Sequence, residues 1–133
     1  MQKVNLSGEK KIGGKSIKVN LKVLLFQEDN IYFAYMPSLD LTGYGNTAVE
    51  AKASLTIVLD EFLKYTLHKN TFFIELQRLG WKIKSKKKPM SAPQLSDLIN
   101  TNEQLKEIIN YKQPSISDYQ VNAVSYTHLV ETS

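Results

Sequence analysis

A chain of 133 residues, 42% hydrophobic and 23% charged, has room for one modest core of roughly 70 to 100 residues plus tails, so a single domain is expected. It contains no cysteine, which excludes disulfides, thiolate metal sites and cysteine catalysis. The net charge of +4 conceals a segment, residues 23–63, in which six acids face the single base Lys52, leaving −5 there and +9 elsewhere.

Residues 1–16 read as a tail. They are polar and lysine-bearing, without the apolar stretch of about 7–15 residues that a secretory signal requires. No run in the chain approaches about 18 apolar residues, so a cytoplasmic protein with no membrane partner is expected.

From Ile17 the apolar residues alternate. Ile17, Val19, Leu21, Val23 and Leu25 give the period of a strand with one buried face, and Leu24 and Phe26 make its second half apolar on both faces. Glu28-Asp29-Asn30 supplies turn chemistry, and residues 31–36 are rich in β-branched and aromatic side chains. An antiparallel hairpin follows. Pro37 ends its second strand because it cannot donate to a ladder. A short third strand, residues 41–44, completes a meander. Tyr32, Phe33, Tyr35 and Tyr44 divide between core and a surface that can anchor a partner.

The period then changes to 3.6. Ala51, Leu55, Val58, Leu59, Phe62 and Thr66 form one stripe of a long amphipathic helix. Thr47 and Glu50 fit a capping box that starts it near Ala48. Gly45 and Asn46 are read as the turn into the helix, which disposes of a phosphate-binding loop: Gly43-Tyr44-Gly45 has neither the lysine and hydroxyl of a P-loop nor a parallel βαβ unit around it. A second helix spans about residues 72–79, with Asn70 or Thr71 as cap. Gly80 stands at the left-handed position after it, and Trp81 packs back on its last turn. Residues 81–84 alternate and are expected to return as a strand against the sheet. The fold class is α+β, a small antiparallel sheet in the order β-β-β-α-α-β with one face covered by helices.

Residues 32–55, YFAYMPSLDLTGYGNTAVEAKASL, now carry a family resemblance. A strand ending in proline, a glycine-bearing meander and G-x-T-x-x-E-A opening a helix resemble the signature of the HicB-like antitoxins, through Tyr32, Ala34, Pro37, Leu39, Gly45, Thr47, Glu50 and Ala51. The resemblance covers about residues 17–83. Gly43 and Tyr44 depart from the glycine-cysteine or similar pair often found there, and no ribbon-helix-helix or complete helix-turn-helix module is expected after the domain. The resemblance implies an incomplete RNase H-like fold and a type II toxin-antitoxin role: an antitoxin that neutralises a HicA-like toxin, a small basic mRNA interferase. Operator DNA as a further partner and a homo-oligomeric state are expected with it.

Charge argues in the same direction. A toxin that grips RNA presents lysines and arginines, and an acidic inhibitor competes for that surface. Glu28, Asp29, Asp40, Asp60 and Glu61 are the candidate partner-binding residues. Asp60 and Glu61 lie about 100° and 200° around the helix from Leu59, so both are expected to point away from the core stripe. No catalytic residue, cofactor or metal site is expected. An RNase H-type nuclease needs converging acids, one of them on the first central strand, and residues 17–26 contain none. His68 suits a helix C-terminus, and His128 stands alone.

Residues 85–94 read as a Lys/Pro-rich linker. Lys82, Lys84, Lys86, Lys87 and Lys88 offer the alternative, contact with operator DNA or RNA by an orphan nucleic-acid-binding regulator. Residues 95–111 carry two short helical stripes, Leu95, Leu98, Ile99 and Leu105, Ile108, Ile109, with Thr101 and Gln104 as a capping box. This helical extension either docks on the sheet or clamps a partner. Residues 112–133 read as a tail. Within it residues 120–133, containing VSYTHL, resemble translated sequencing-adapter oligonucleotide and are set aside from the fold.

Overall fold

The computed structural model describes residues 16–83 and 90–124. Strands β1 (Ser16–Glu28), β2 (Ile31–Met36) and β3 (Leu41–Gly45) form the expected meander. Helices α1 (Ala48–His68) and α2 (Phe72–Arg78) follow. A short ribbon of β4 (Lys82–Ile83) and β5 (Met90–Ser91) leads to α3 (Leu95–Ile99), α4 (Glu103–Tyr111) and β6 (Ser115–Val124). The main sheet is antiparallel, in the order β3-β2-β1-β6.

Three features differ from the sequence-based expectation. The expected return of residues 81–84 to the main sheet is not seen as far as the described residues go, to Ile83: β4 pairs with β5 in a separate two-stranded ribbon. The fourth strand is β6, which runs beside β1 from Ser16↔Val124 to Leu25↔Ser115 and so takes in part of the segment set aside above. β1 is 13 residues long, and such an edge is a template for a partner strand. Lys22 reaches Asp118 at 2.7 Å, and the Tyr119 and Thr56 hydroxyls meet at 2.7 Å, fixing β6 to both β1 and α1.

The third difference is that helices cover both faces of the sheet. Leu21 and Val23 of β1 and Ala34 and Met36 of β2 face Ala51, Leu55, Leu59, Leu63 and Leu67 of α1, with Phe72, Leu76 and Trp81 closing that layer. On the other face, Leu24 and Tyr35 pack against Leu105 and Ile108 of α4, with Phe26, Leu95, Leu98, Ile99 and Ile109 around them. The physical reason is the pair Leu24 and Phe26. They make half of β1 apolar on its second face, and the 95–111 segment supplies the cover. It is a layer of the domain, not an extension.

Local signals place these elements. Thr47 accepts the Glu50 N–H at 3.1 Å, and Glu50 reaches back to the Asn46 N–H at 3.0 Å. Gly80, at φ 97°, and Trp81 close α2 with Trp81 N–H to the Leu76 carbonyl at 2.9 Å and Gly80 N–H to the Gln77 carbonyl at 3.1 Å. The Trp81 indole then donates to the Ser38 carbonyl at 2.8 Å, anchoring the segment after α2 to the β2–β3 turn. The cap of α4 is Asn102 rather than Thr101: its side-chain oxygen accepts the Leu105 N–H at 3.0 Å. Neither Gly45 nor Asn46 has a positive φ. Gly43 and Gly45 serve close approach instead: a Cβ on Gly43 would lie 2.2 Å from the Leu55 nitrogen, and one on Gly45 would lie 2.5 Å from the Glu50 Cβ.

Candidate partner-binding surface

The meander distributes the acids of residues 23–63 rather than gathering them. Glu28 and Asp29 stand at the β1–β2 turn; Asp40 stands at the β2–β3 turn, the opposite end of the sheet. Lys112, just after α4, pairs with Glu28, and that carboxylate holds the lysine pKa above its usual value. Asp29 is exposed, with φ 53°, in a two-residue turn completed by Asn30 at φ 67°.

Asp40 and Tyr35 belong to one network. The Tyr35 hydroxyl donates to Asp40 Oδ1 at 2.8 Å and accepts from Asn102 Nδ2 at 2.9 Å. The residue that caps α4 is thereby tied to the β2–β3 turn through a side chain that is 1% exposed. Burial pushes the Tyr35 phenol up to about 12, and hydrogen bonding to Asp40 adds to this, while the Asn102 bond opposes it. The unfolded chain loses this proton near 10, so between pH 10 and 12 it binds fewer protons than the native state. Stability is therefore expected to fall over that window by about 2–3 kcal/mol from this group, with no contribution below pH 10. Denaturant titrations at pH 9 and pH 11.5 check it: Tyr35→Phe should shed that part of the alkaline loss.

Asp60 is not the solvent-facing acid that helical phase predicts. Its side chain is 13% exposed and lies 3.3 Å from Lys64. It sits one turn beyond Thr56, on the α1 flank that meets Tyr119 of β6. Glu61 is exposed, as expected.

The outward side of α1 has a feature that the core stripe hides. Val49, Ile57 and Tyr65 are 77%, 65% and 64% exposed. With the exposed Ala53 and Glu61 they occupy successive i+4 positions, which form a contiguous ridge along a helix. The signal was present in the sequence as apolar residues eight apart, off the core stripe. A second exposed apolar surface lies on the α3–α4 side of the sheet. There Phe26 stacks on Phe33 at 5.3 Å and Phe33 meets Tyr44 at 6.4 Å, leaving Tyr44 65% exposed at the β3 edge.

Of the basic candidates, Lys82 is exposed on β4, while Lys84, Lys86, Lys87 and Lys88 lie outside the described residues. Among the described residues no cluster of three His, Asp or Glu side chains is arranged to hold a metal, and no helix is long and apolar enough to cross a membrane. No protein-family model, curated protein or solved structure matches this chain.

Proposed function

We propose that this chain is a HicB-like antitoxin that binds and neutralises a small basic RNA-cleaving toxin, acting by occlusion without catalysis or cofactor. The observation that carries the reading is the α1 ridge: Val49, Ala53, Ile57 and Tyr65 exposed in a row, with Glu61 among them. An apolar strip that remains in solvent when the core is complete has the character of an interaction surface, and an acid within it favours a cationic partner. The resemblance carried by residues 32–55 supplies the partner's class. Its proline-ended strand, glycine meander and capped helix assemble into one sheet-on-helix unit, which supports that reading.

The test is binding to a small basic RNA-cleaving protein of the HicA class. Ile57→Asp places a charge in the middle of the ridge and is expected to weaken the complex at least about tenfold. Glu61→Lys is expected to slow association and flatten its salt dependence. Circular dichroism serves as the folding control for both. Asp60 is unsuited to this test, because reversing a largely buried, paired carboxylate would perturb the fold. Unchanged affinity in both variants would remove α1 from the interface. Steeply salt-dependent binding to nucleic acid, with none to the basic protein, would favour a regulator acting through its lysine-rich segment.

A further inference from the structure

A cavity of about 420 Å3 opens between β1, the β2–β3 turn and α3. Its apolar wall is drawn from both layers. Leu21 belongs to the core under α1, Leu95 and Leu98 belong to the core under α4, and Pro37 adds the turn. Close packing leaves few voids larger than a water, whereas small molecules are held in spaces of roughly 300–1,000 Å3.

Ser38 lines the same space. The residue is 5% exposed, and its buried hydroxyl has no hydrogen-bond partner. A buried hydroxyl left unmatched costs free energy, and a ligand that supplies the missing partner recovers it. The Ser38 carbonyl, by contrast, is engaged: it accepts from the Trp81 indole at 2.8 Å, so the backbone that carries the hydroxyl is held. Only the χ1 bond then has to turn for the hydroxyl to meet a group in the cavity.

The lining selects against charge. Among the described residues that line the cavity, Lys22 is the one charged side chain, and its ammonium lies 2.7 Å from Asp118 Oδ1. An ion pressed against the leucine and proline wall would lose its water with no counter-charge there to replace it. The Gln94 side chain is occupied in capping α3. Asn20 and Ser96, which also line the cavity, are exposed and neutral, and each can both donate and accept.

We propose that this cavity binds a small neutral molecule with a branched aliphatic body and an amide head. The body lies against Leu21, Leu95 and Leu98, and the amide lies between Ser38 and Asn20. An amide suits both residues, because its carbonyl accepts from the Ser38 hydroxyl while its N–H donates to the Asn20 carboxamide oxygen. Leucine and proline walls give a branched alkyl group close contact and offer an aromatic ring nothing to stack on. The bound molecule touches the sheet, the turn and α3 together, so it joins the two layers that the sheet separates.

The test uses the intact protein with N-acetyl-leucinamide as the probe. N-acetyl-leucinate, the same body carrying a carboxylate, is the comparison. Trp81 is the single tryptophan of the chain, and its bond to the Ser38 carbonyl makes its fluorescence a reporter of the cavity. The amide is expected to change that fluorescence saturably, with a dissociation constant on the order of a millimolar for a molecule of this size. The carboxylate should bind at least about tenfold more weakly. Proton–nitrogen correlation NMR gives an independent reading, with the largest shifts at the Asn20, Ser38 and Leu95 amides. Ser38→Ala should weaken amide binding by about fivefold, yet raise the denaturation midpoint of the free protein, because it removes an unmatched hydroxyl. A serine with only a structural role would show the reverse, lower stability and unchanged affinity. That result would overturn the proposal, as would the absence of a saturable response in both measurements, shifts gathered away from these residues, or equal binding of amide and carboxylate.

Discussion

Gly43→Ala is expected to destabilise the domain by about 3–5 kcal/mol, a large fraction of the 5–15 kcal/mol typical of a native protein. The added Cβ would lie 2.2 Å from the Leu55 nitrogen and 2.6 Å from both the Ala51 oxygen and the Leu55 Cα. All three are backbone atoms of α1, so no side chain can turn aside to make room. The helix must lift from β3, and lifting it loosens the fully buried Ala51 and Leu55 together. Gly80→Ala is the control. A Cβ there meets Pro93 at ordinary distances of 3.6 and 3.7 Å, so its cost comes only from the positive φ, about 1–2 kcal/mol. Urea denaturation of both variants checks the pair, with the midpoint falling much further for Gly43→Ala and the slope unchanged. Equal losses at the two glycines would mean that α1 sits more loosely on the sheet than the contacts require.

The elements that could be read from the sequence are those whose signal is local. The alternation at residues 17–25, the Asp29-Asn30 turn and Pro37 fix the meander, and the Thr47–Glu50 box with the Ala51, Leu55 and Leu59 spacing fixes α1. Gly80 and Trp81 occupy their expected positions because a helix C-terminus is decided within a few residues. What escaped was long-range. Leu24 and Phe26 announced that the second face of the sheet needed a cover, and the two stripes in residues 95–111 were apolar enough to provide one. An amphipathic stripe does not say which surface it meets, so the two halves could not be joined.

The same limit explains Asp60. Helical phase placed it beyond the core stripe, and that flank reads as solvent until β6 brings Tyr119 to Thr56 one turn earlier. β6 has a strand pattern of its own, Tyr119, Val121 and Ala123 alternating with Gln120 and Asn122. Setting residues 120–133 aside as resembling adapter sequence discards that pattern, and with it the ten-residue ladder to β1. The candidate acids are neighbours in the sequence, and the meander sends Glu28 and Asp40 to opposite ends of the sheet.

Leu105→Ala is the second change expected to have a large effect, a loss of about 3 kcal/mol. Leu105 is fully buried in the second core with Leu24, Tyr35 and Ile108, so truncation leaves a cavity under α4 that the sheet cannot collapse to fill. Its backbone is held as well: the Leu105 N–H donates to the Asn102 side chain, whose amide donates in turn to Tyr35. If residues 95–111 only hung from a linker, the same truncation would cost under about 1 kcal/mol and leave the first core untouched. Trp81 separates the two cases, because it is buried in the layer on the other side of the sheet. Its fluorescence reports the α1–α2 layer, while the substitution lies in the α3–α4 layer. A domain whose two cores share one sheet should lose both together, so tryptophan fluorescence and far-UV circular dichroism should shift to the same lower denaturant midpoint. A tryptophan transition that stays at the wild-type midpoint would make the second layer a separable unit.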